Sequence, residues 1–403
     1  MTELSRRRLL QGAAGGGAAV AAGTLGLPRL TGSDEARADE GLVPWRGAHQ
    51  AGIVSARTEY AMAAAFEVVD DDLPGLLRDI TGRVSELTRG YPDRLDPLDN
   101  AALPPSDTGE LGYDRRNDGR LTMTLGLGAS LFDRRFGLRG RRPPALKRMP
   151  SFPGDNLDPD RVHGDLLLLV QSDHAMVTHH ATRDVMRRTK GRLQGLWAQS
   201  GFQRVDREKD GRPAIAAERG LLGFADGSQN IARTDDGRIF AGDEVEPWAR
   251  GGTYVAARLI RLKIERWDRL SRTSQEDSIG RRKITGAPQE GGSEQDTPKL
   301  GSETPIDAHI RLANPRKPGD DAKRFLRRSF VFNNGFDDYG LLDSGSLFLG
   351  FSRDVAKQFE ATKRNTLGQD LDEYMVAIGG GYFFCPPGVR GPGDYLARGL
   401  VEA

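Results

Sequence analysis

Three short stretches carry side chains whose types and spacing could do chemistry. In Gly223-Phe224-Ala225-Asp226-Gly227, glycines bracket a carboxylate. They let the backbone turn tightly and leave Asp226 open to a cavity. Burial beside Phe224 would raise the carboxyl pKa, which suits a group that shuttles a proton. An ordinary Asp-Gly turn gives the same string. In Leu326-Arg327-Arg328-Ser329-Phe330 the arginines are adjacent. Neighbours on a strand face opposite ways, so the spacing predicts one arginine in a pocket and the other in water. A solvated basic pair at a strand start is the plainer alternative. The third stretch is Asp307-Ala308-His309-Ile310-Arg311-Leu312-Ala313-Asn314-Pro315-Arg316. Read as extended, it sets His309 opposite Ile310 and Leu312, and Asn314-Pro315 ends it. A lone histidine suits the single axial bond that haem iron needs from a protein. On spacing alone, a hydrogen-bonded strand histidine is the simpler reading.

The remaining histidines offer less. His179 and His180 are adjacent, so their side chains diverge, and no HExxH pattern or cysteine partner supports zinc. His163 and His174 read as surface or core-edge residues, and His49 belongs to a polar segment. The one cysteine, Cys385, excludes an intrachain disulfide, a Cys-rich zinc site and an iron–sulfur cluster.

The side chains that could do chemistry need elements to hold them. The chain has 403 residues, with 58 Lys+Arg against 57 Asp+Glu. That balance argues against a nucleic-acid partner. With 37% hydrophobic residues and 51 Gly, the composition suits a soluble globular protein rich in loops. No apolar run reads as a mature membrane span. Residues 1–38 read as an address. Arg6-Arg7-Arg8 precedes a mild apolar stretch and Ala36-Arg37-Ala38 gives a signal-peptidase pattern. The twin arginine predicts the Tat route to the periplasm or the extracellular space. Tat carries folded proteins, often with a cofactor already inserted.

Beyond the leader, 61–69, 121–127 and 165–171 read as strands, and 70–88 and 182–200 as helices. The rhythm repeats. Strands are expected at 254–264, 329–333 and 345–352, and helices at 354–362 and 367–375. The expected class is α+β, built from two similar modules at 39–220 and 221–403. Residues 271–304 are too polar to bury a core and are expected to form a long surface loop. Residues 316–323 read as a second polar connector.

Together the three stretches resemble the dye-decolourising peroxidases, in the branch that includes Tat-exported deferrochelatases. Further resemblance runs through Gly47 to Ile53, Leu121 to Gly126, Gly164 to Leu168 and Ile378 to Phe384. It implies two ferredoxin-like modules, each an antiparallel sheet with helices, and one non-covalent haem b in the C-terminal half. His309 would be the proximal iron ligand, with Asp226 the distal acid and Arg327 the distal arginine. Gly227, Ser228, Gln229, Asn314, Pro315 and Arg316 would line the haem. Glu373 and Asp307 are the candidate acceptors for the far nitrogen of His309. Trp197, Trp248, Trp267 and Tyr382 are either electron-transfer residues towards the surface or ordinary core aromatics. The implied reaction is reduction of hydrogen peroxide with oxidation of a bulky organic donor such as a dye. The alternative is release of iron from haem with the porphyrin intact, in iron uptake. A plain haem carrier would need no distal acid. Exported redox or iron-uptake partners and a homo-oligomer are compatible with the resemblance.

Overall fold

In this computed structural model, residues 42–89, 102, 105, 107–111, 119–205 and 218–402 are described. The leader therefore lies outside the described residues.

The first regular elements among the described residues are β1 (Tyr60–Val68) and α1 (Leu73–Thr88). Asp72 caps α1 by accepting from the Gly75 N–H at 2.9 Å, and Pro74 occupies its first turn. Next come β2 (Thr122–Gly128), β3 (Leu166–Ser172), α2 (Ala175–Arg188) and β4 (Leu193–Phe202). Their spatial order is β2-β3-β1-β4, all antiparallel, which is the ferredoxin-like arrangement. After the two-residue strands β5 (Glu218–Arg219) and β6 (Ala225–Asp226), the plan recurs. Strand β7 (Thr253–Leu262) is followed by helices α3 (Arg272–Ile279) and α4 (His309–Ala313). Then come β8 (Leu326–Arg327), β9 (Phe330–Phe336), β10 (Leu342–Ser352), α5 (Ala361–Asn365) and β11 (Met375–Cys385). The order β11-β7-β10-β9 repeats that of the first half.

The halves join at two narrow seams. β11 meets β2 at Phe383–Gly128 and Phe384–Leu127, and β4 meets β9 at Phe202–Val331. Because β7 also pairs with β10, the strands are linked into a ring through these two seams. One face of the strands packs a narrow core of Ala61, Ala63, Ala65, Leu167, Val255, Ala257, Leu347 and Phe383. The opposite face in the first half is covered by the apolar stripe of α1 (Leu73, Leu76, Leu77, Ile80, Val84). In β11, Gly380 has φ +112° and lies against β7 so closely that a Cβ would sit 2.1 Å from the Ala257 carbonyl oxygen. A bulge between Ala377 and Gly379 accommodates this approach.

Several expectations are corrected. Residues 182–200 are not one helix: α2 ends at Arg188, Gly191 turns the chain at φ +82°, and β4 follows. Leu193, Leu196 and Trp197 imitate helical spacing, but in β4 Trp197, Gln199 and Gly201 alternate inward while Leu196, Ala198 and Ser200 stay exposed. Residues 367–375 hold only a short 3-10 turn, Asp370–Glu373, before β11 begins. His309 lies in a one-turn helix, not an extended segment.

The polar segment 271–304 also differs from a surface loop. It contains α3 and buries Gln275, Glu276, Arg281, Gln289 and Thr304. Guanidinium groups replace an apolar core here by satisfying backbone carbonyls. Arg281 donates to Gly286 O at 2.6 Å and Glu294 O at 2.8 Å, and Arg311 donates to Pro305 O at 3.0 Å and Thr304 O at 2.7 Å. A composition that cannot bury hydrocarbon can still organise a wall.

Candidate active site

In the second half, the sheet face equivalent to the one under α1 is left partly open. Arg258, Ile260 and Leu262 of β7, Phe348 of β10 and Ala377 of β11 border a cavity of about 450 Å³ there. Much of the rest of its wall comes from segments 219–230, 279–281, 309–316, 320–331 and 359–372, and the first half contributes Arg57, 153–155 and Gln203. All nine expected site residues line this one cavity: Asp226, Gly227, Ser228, Gln229, His309, Asn314, Pro315, Arg316 and Arg327.

The backbone holds Asp226 by a tight turn. Gly223 (φ +83°) closes the turn, with its N–H 2.9 Å from Gly220 O, and Gly227 (φ +98°) releases the chain from β6. Only glycine adopts both conformations without strain. Arg327 stands across from Asp226, its Nη2 3.0 Å from Oδ1. The two side chains are 32% and 46% exposed, and that exposure opens into the cavity. Arg327 and the aspartate loop are stitched together by Asn230, whose Nδ2 donates to Arg327 O at 2.8 Å. The Asn230 Oδ1 accepts from Arg327 N–H at 3.1 Å. The sequence reading gave Asn230 no role. A polar residue three positions after GxxDG was the available signal.

The Arg327 guanidinium is the chief reason that the Asp226 carboxyl is held below the usual range; burial opposes it, and Arg57, His309 and the Gly227 N–H assist. This corrects the expectation of a raised pKa beside Phe224: the cation outweighs desolvation, and the group is an ionised proton acceptor. Arg57, which sequence reasoning passed over, lines the same cavity and donates to Ser329 O at 2.7 Å. Arg328 is not in water. It is 3% exposed, and donates to Ser55 O at 2.7 Å and Gln171 Oε1 at 3.2 Å.

His309 faces the cavity from α4. Its Nδ1 lies 2.8 Å from Gln369 Oε1, and no described protein group takes Nε2. Burial pushes its pKa down; the Gln369 contact opposes this, Arg327 adds to it, and Asp226 and Asp372 oppose it. Neither expected carboxylate serves as acceptor. Glu373 pairs with Arg266 at 3.0 Å, and Asp307 is exposed on the turn before α4. The four aromatic candidates are all buried: Trp197 (6%), Trp248 (9%), Trp267 (0%) and Tyr382 (2%). None of them is a surface residue; Trp267 packs edge-on against the cavity-lining ring of Phe224, and Tyr382 against that of Phe359.

The lining fits a group that brings negative charge and a metal. Burial pushes the pKa values of Arg281, Arg316 and Arg324 down, and repulsion among neighbouring arginines adds to it. Arg281 Nη2 and Ser228 Oγ are buried with no partner among the described residues. A dianionic macrocycle with a central iron matches this set: carboxylates for the arginines and one open coordination position for an imidazole. Among the described residues no cluster of His, Cys, Asp or Glu could hold a metal ion by itself.

A ring of two ferredoxin-like halves, with a histidine and an Asp–Arg pair lining one cavity, is also found in comparison with known proteins. The descriptions "Dyp-type peroxidase, N-terminal" and "Dyp-type peroxidase, C-terminal" match residues 50–203 and 217–390. The chain belongs to the Dyp-type peroxidase family. A protein named deferrochelatase from Shigella flexneri is 38% identical, over 100% of this chain and 98% of its own length. One of the same name from Yersinia pseudotuberculosis is 37% identical, over 99% and 95%. The crystal structure of a DyP-type peroxidase from Cellulomonas bogoriensis aligns with TM-score 0.79 and 31% identity, covering 91% of this chain and 99% of that one. DtpA from Streptomyces lividans, solved as an oxyferrous complex, aligns with TM-score 0.79 and 30% identity over 90% and 99%. As a peroxidase of this family, the protein uses hydrogen peroxide as oxidant and an organic donor as reductant.

Proposed function

We propose that the protein binds one non-covalent haem b in the cavity of its second half and oxidises bulky organic donors, such as dyes, with hydrogen peroxide. The observation that supports this reading is that His309 and the ionised Asp226, paired with Arg327, line one cavity. His309 would hold the iron through Nε2, and Arg281, Arg316 and Arg324 would take the carboxylates. Bound haem supplies the coordination position for peroxide and the electrons that break its O–O bond.

The chain's own residues manage protons and charge. Asp226, kept ionised by Arg327, would accept a proton from one peroxide oxygen and pass it to the other, which leaves as water. Arg327 holds a fixed positive charge where negative charge develops on that oxygen, as donors do in an oxyanion hole. Gln369 holds the His309 ring in place. The test is stopped-flow mixing of Asp226→Asn and Arg327→Leu holoproteins with peroxide. If both react at the wild-type rate with haem retained, the assignment of this pocket fails.

A second reading draws on the full-length relatives named deferrochelatase. Freeing iron from haem requires two protons delivered to the porphyrin nitrogens. An aspartate kept ionised by an arginine is a poor proton source at neutral pH, which favours the peroxide reaction. Incubating the holoprotein without peroxide and following porphyrin fluorescence, which iron quenches, separates the two.

Export by the Tat route, to the periplasm or beyond the cell, is proposed from Arg6-Arg7 and the Ala36-Arg37-Ala38 pattern. No helix among the described residues is long and apolar enough to cross a membrane. Changing Arg6 and Arg7 to lysine should leave folded precursor in the cytoplasm. Undiminished export would remove the Tat assignment.

A further inference from the structure

We propose that Asp372 fixes which nitrogen of His309 is free to bind metal, acting through the side-chain amide of Gln369. The inference rests on the reading of His309 as the iron ligand and deepens it.

Gln369 is 3% exposed, so its amide must be satisfied by its neighbours. Its Oε1 lies 2.8 Å from His309 Nδ1, and its Nε2 donates to Asp372 Oδ1 at 2.9 Å. The two ends of an amide have nearly the same shape and differ only in donating or accepting, so the partners decide which end points where. Asp372 leaves one choice. Its Oδ2 accepts from the Gly368 N–H at 3.0 Å, and the Lys363 ammonium lies 3.8 Å from Oδ1. Both of these neighbours are donors, so Asp372 is an acceptor at both oxygens and the amide must turn its NH2 end towards it. The Gln369 carbonyl then faces His309, and only a protonated Nδ1 can meet it. The lone pair of the neutral ring is left on Nε2, on the side of the cavity. The opposite tautomer would present an N–H there and could not ligate.

The acid therefore acts at one remove. A carboxylate placed directly on the ring would draw the Nδ1 proton towards itself, whereas the amide transmits direction without taking the proton. Asp372 is a positioning residue in this arrangement. Its action on His309 runs through Gln369.

Asp372→Asn is close to isosteric and reverses the logic. The Gly368 N–H still requires an oxygen, so the new NH2 group faces Gln369. The Gln369 amide turns over, its NH2 end meets His309 Nδ1, and the ring proton moves to Nε2. Adding Gln369→Glu supplies a carboxylate that offers His309 an acceptor whichever way it turns and accepts from the new asparagine. The measurements are ¹⁵N NMR of the histidine rings in the apoprotein and titration of the apoprotein with haem. In Asp372→Asn the His309 signals should report the Nε2–H tautomer, and haem affinity should fall at least ~10-fold. In the double variant both should return. An unchanged tautomer in Asp372→Asn overturns the proposal. So does a double variant as impaired as the single one, which would leave Asp372 only a structural role. His309→Ala with wild-type haem ligation would overturn the ligand reading itself, a result separable from the apoprotein spectra.

Discussion

Replacing Arg327 with leucine tests the division of labour in the cavity, because two effects of one cation can be read separately. At 3.0 Å from Asp226, the bare attraction at an effective dielectric of ~20 is on the order of 5 kcal/mol. Both side chains are partly open to cavity water, and exposed pairs retain only ~1 kcal/mol or less. The true coupling lies between, and it is large enough to outweigh burial, since the carboxyl is held below its ordinary value. Without Arg327 the burial contribution is left opposed only by Arg57, His309 and the Gly227 N–H. The Asp226 pKa must then rise. Activity requires ionised Asp226, so the acid limb of the peroxide reaction should move to higher pH. Independently, the loss of one preorganised electrostatic donor costs ~2.7–4 kcal/mol, about 10²–10³ in rate, at pH values where Asp226 remains ionised. Asp226→Asn should lower the rate by ~10²–10⁴ and remove the acid limb instead of shifting it. Stopped-flow rates from pH 3 to 8 in both holoproteins decide the matter. An Arg327→Leu enzyme slowed uniformly, with its acid limb unmoved, would refute the claim that the arginine keeps the aspartate ionised.

Other outcomes follow from the geometry. Asn230→Ala leaves the Arg327 N–H and carbonyl without their side-chain partners, and should cost ~1–3 kcal/mol in thermal unfolding while lowering kcat more than it raises KM. Gly380→Ala drives a Cβ into the Ala257 carbonyl at a positive φ, and should destabilise the fold by at least ~2 kcal/mol in urea titration. Glu244, paired with Arg353, has its carboxyl pulled down to about 2. Its folded pKa is depressed, so its stabilisation is present above the ordinary value of 4.5 and lost as pH falls through about 2. Glu244→Gln should therefore lower stability at neutral pH and flatten its dependence across that acid window. The effect is small, because both side chains are exposed.

Much of this molecule was legible before any coordinates, for reasons that differ by element. Strands β1, β3 and β7 are buried on both faces over much of their length, so their apolar runs announce themselves. The α1 stripe repeats at helical period with a cap residue before it. β4 was misread because one face is open to water and Leu193, Leu196 and Trp197 fall at helix-like intervals. β11 was missed because its centre is Gly379-Gly380-Gly381, residues chosen for close approach to β7 and not for strand propensity. In the cavity, residue types were enough to nominate Asp226, Arg327 and His309. Their pairing energetics were not. Whether Asp226 is raised or lowered depends on a cation 101 positions along the chain, and the His309 partner proved to be an amide 60 positions away. The expected partners had been carboxylates, Asp307 and Glu373, instead. The wall formed by 271–304 was invisible to hydropathy because arginine–carbonyl bonds, not hydrocarbon, hold it.

The account turns on His309 as the residue that holds the cofactor. Titrating wild-type and His309→Ala apoproteins with haem, while recording optical and electron paramagnetic resonance spectra, tests this most directly. The wild-type protein should take up one equivalent and show a histidine-ligated ferric iron. The variant should either fail to retain haem or bind it without that ligand signature. Identical stoichiometry and identical axial ligation in the two proteins would contradict the account.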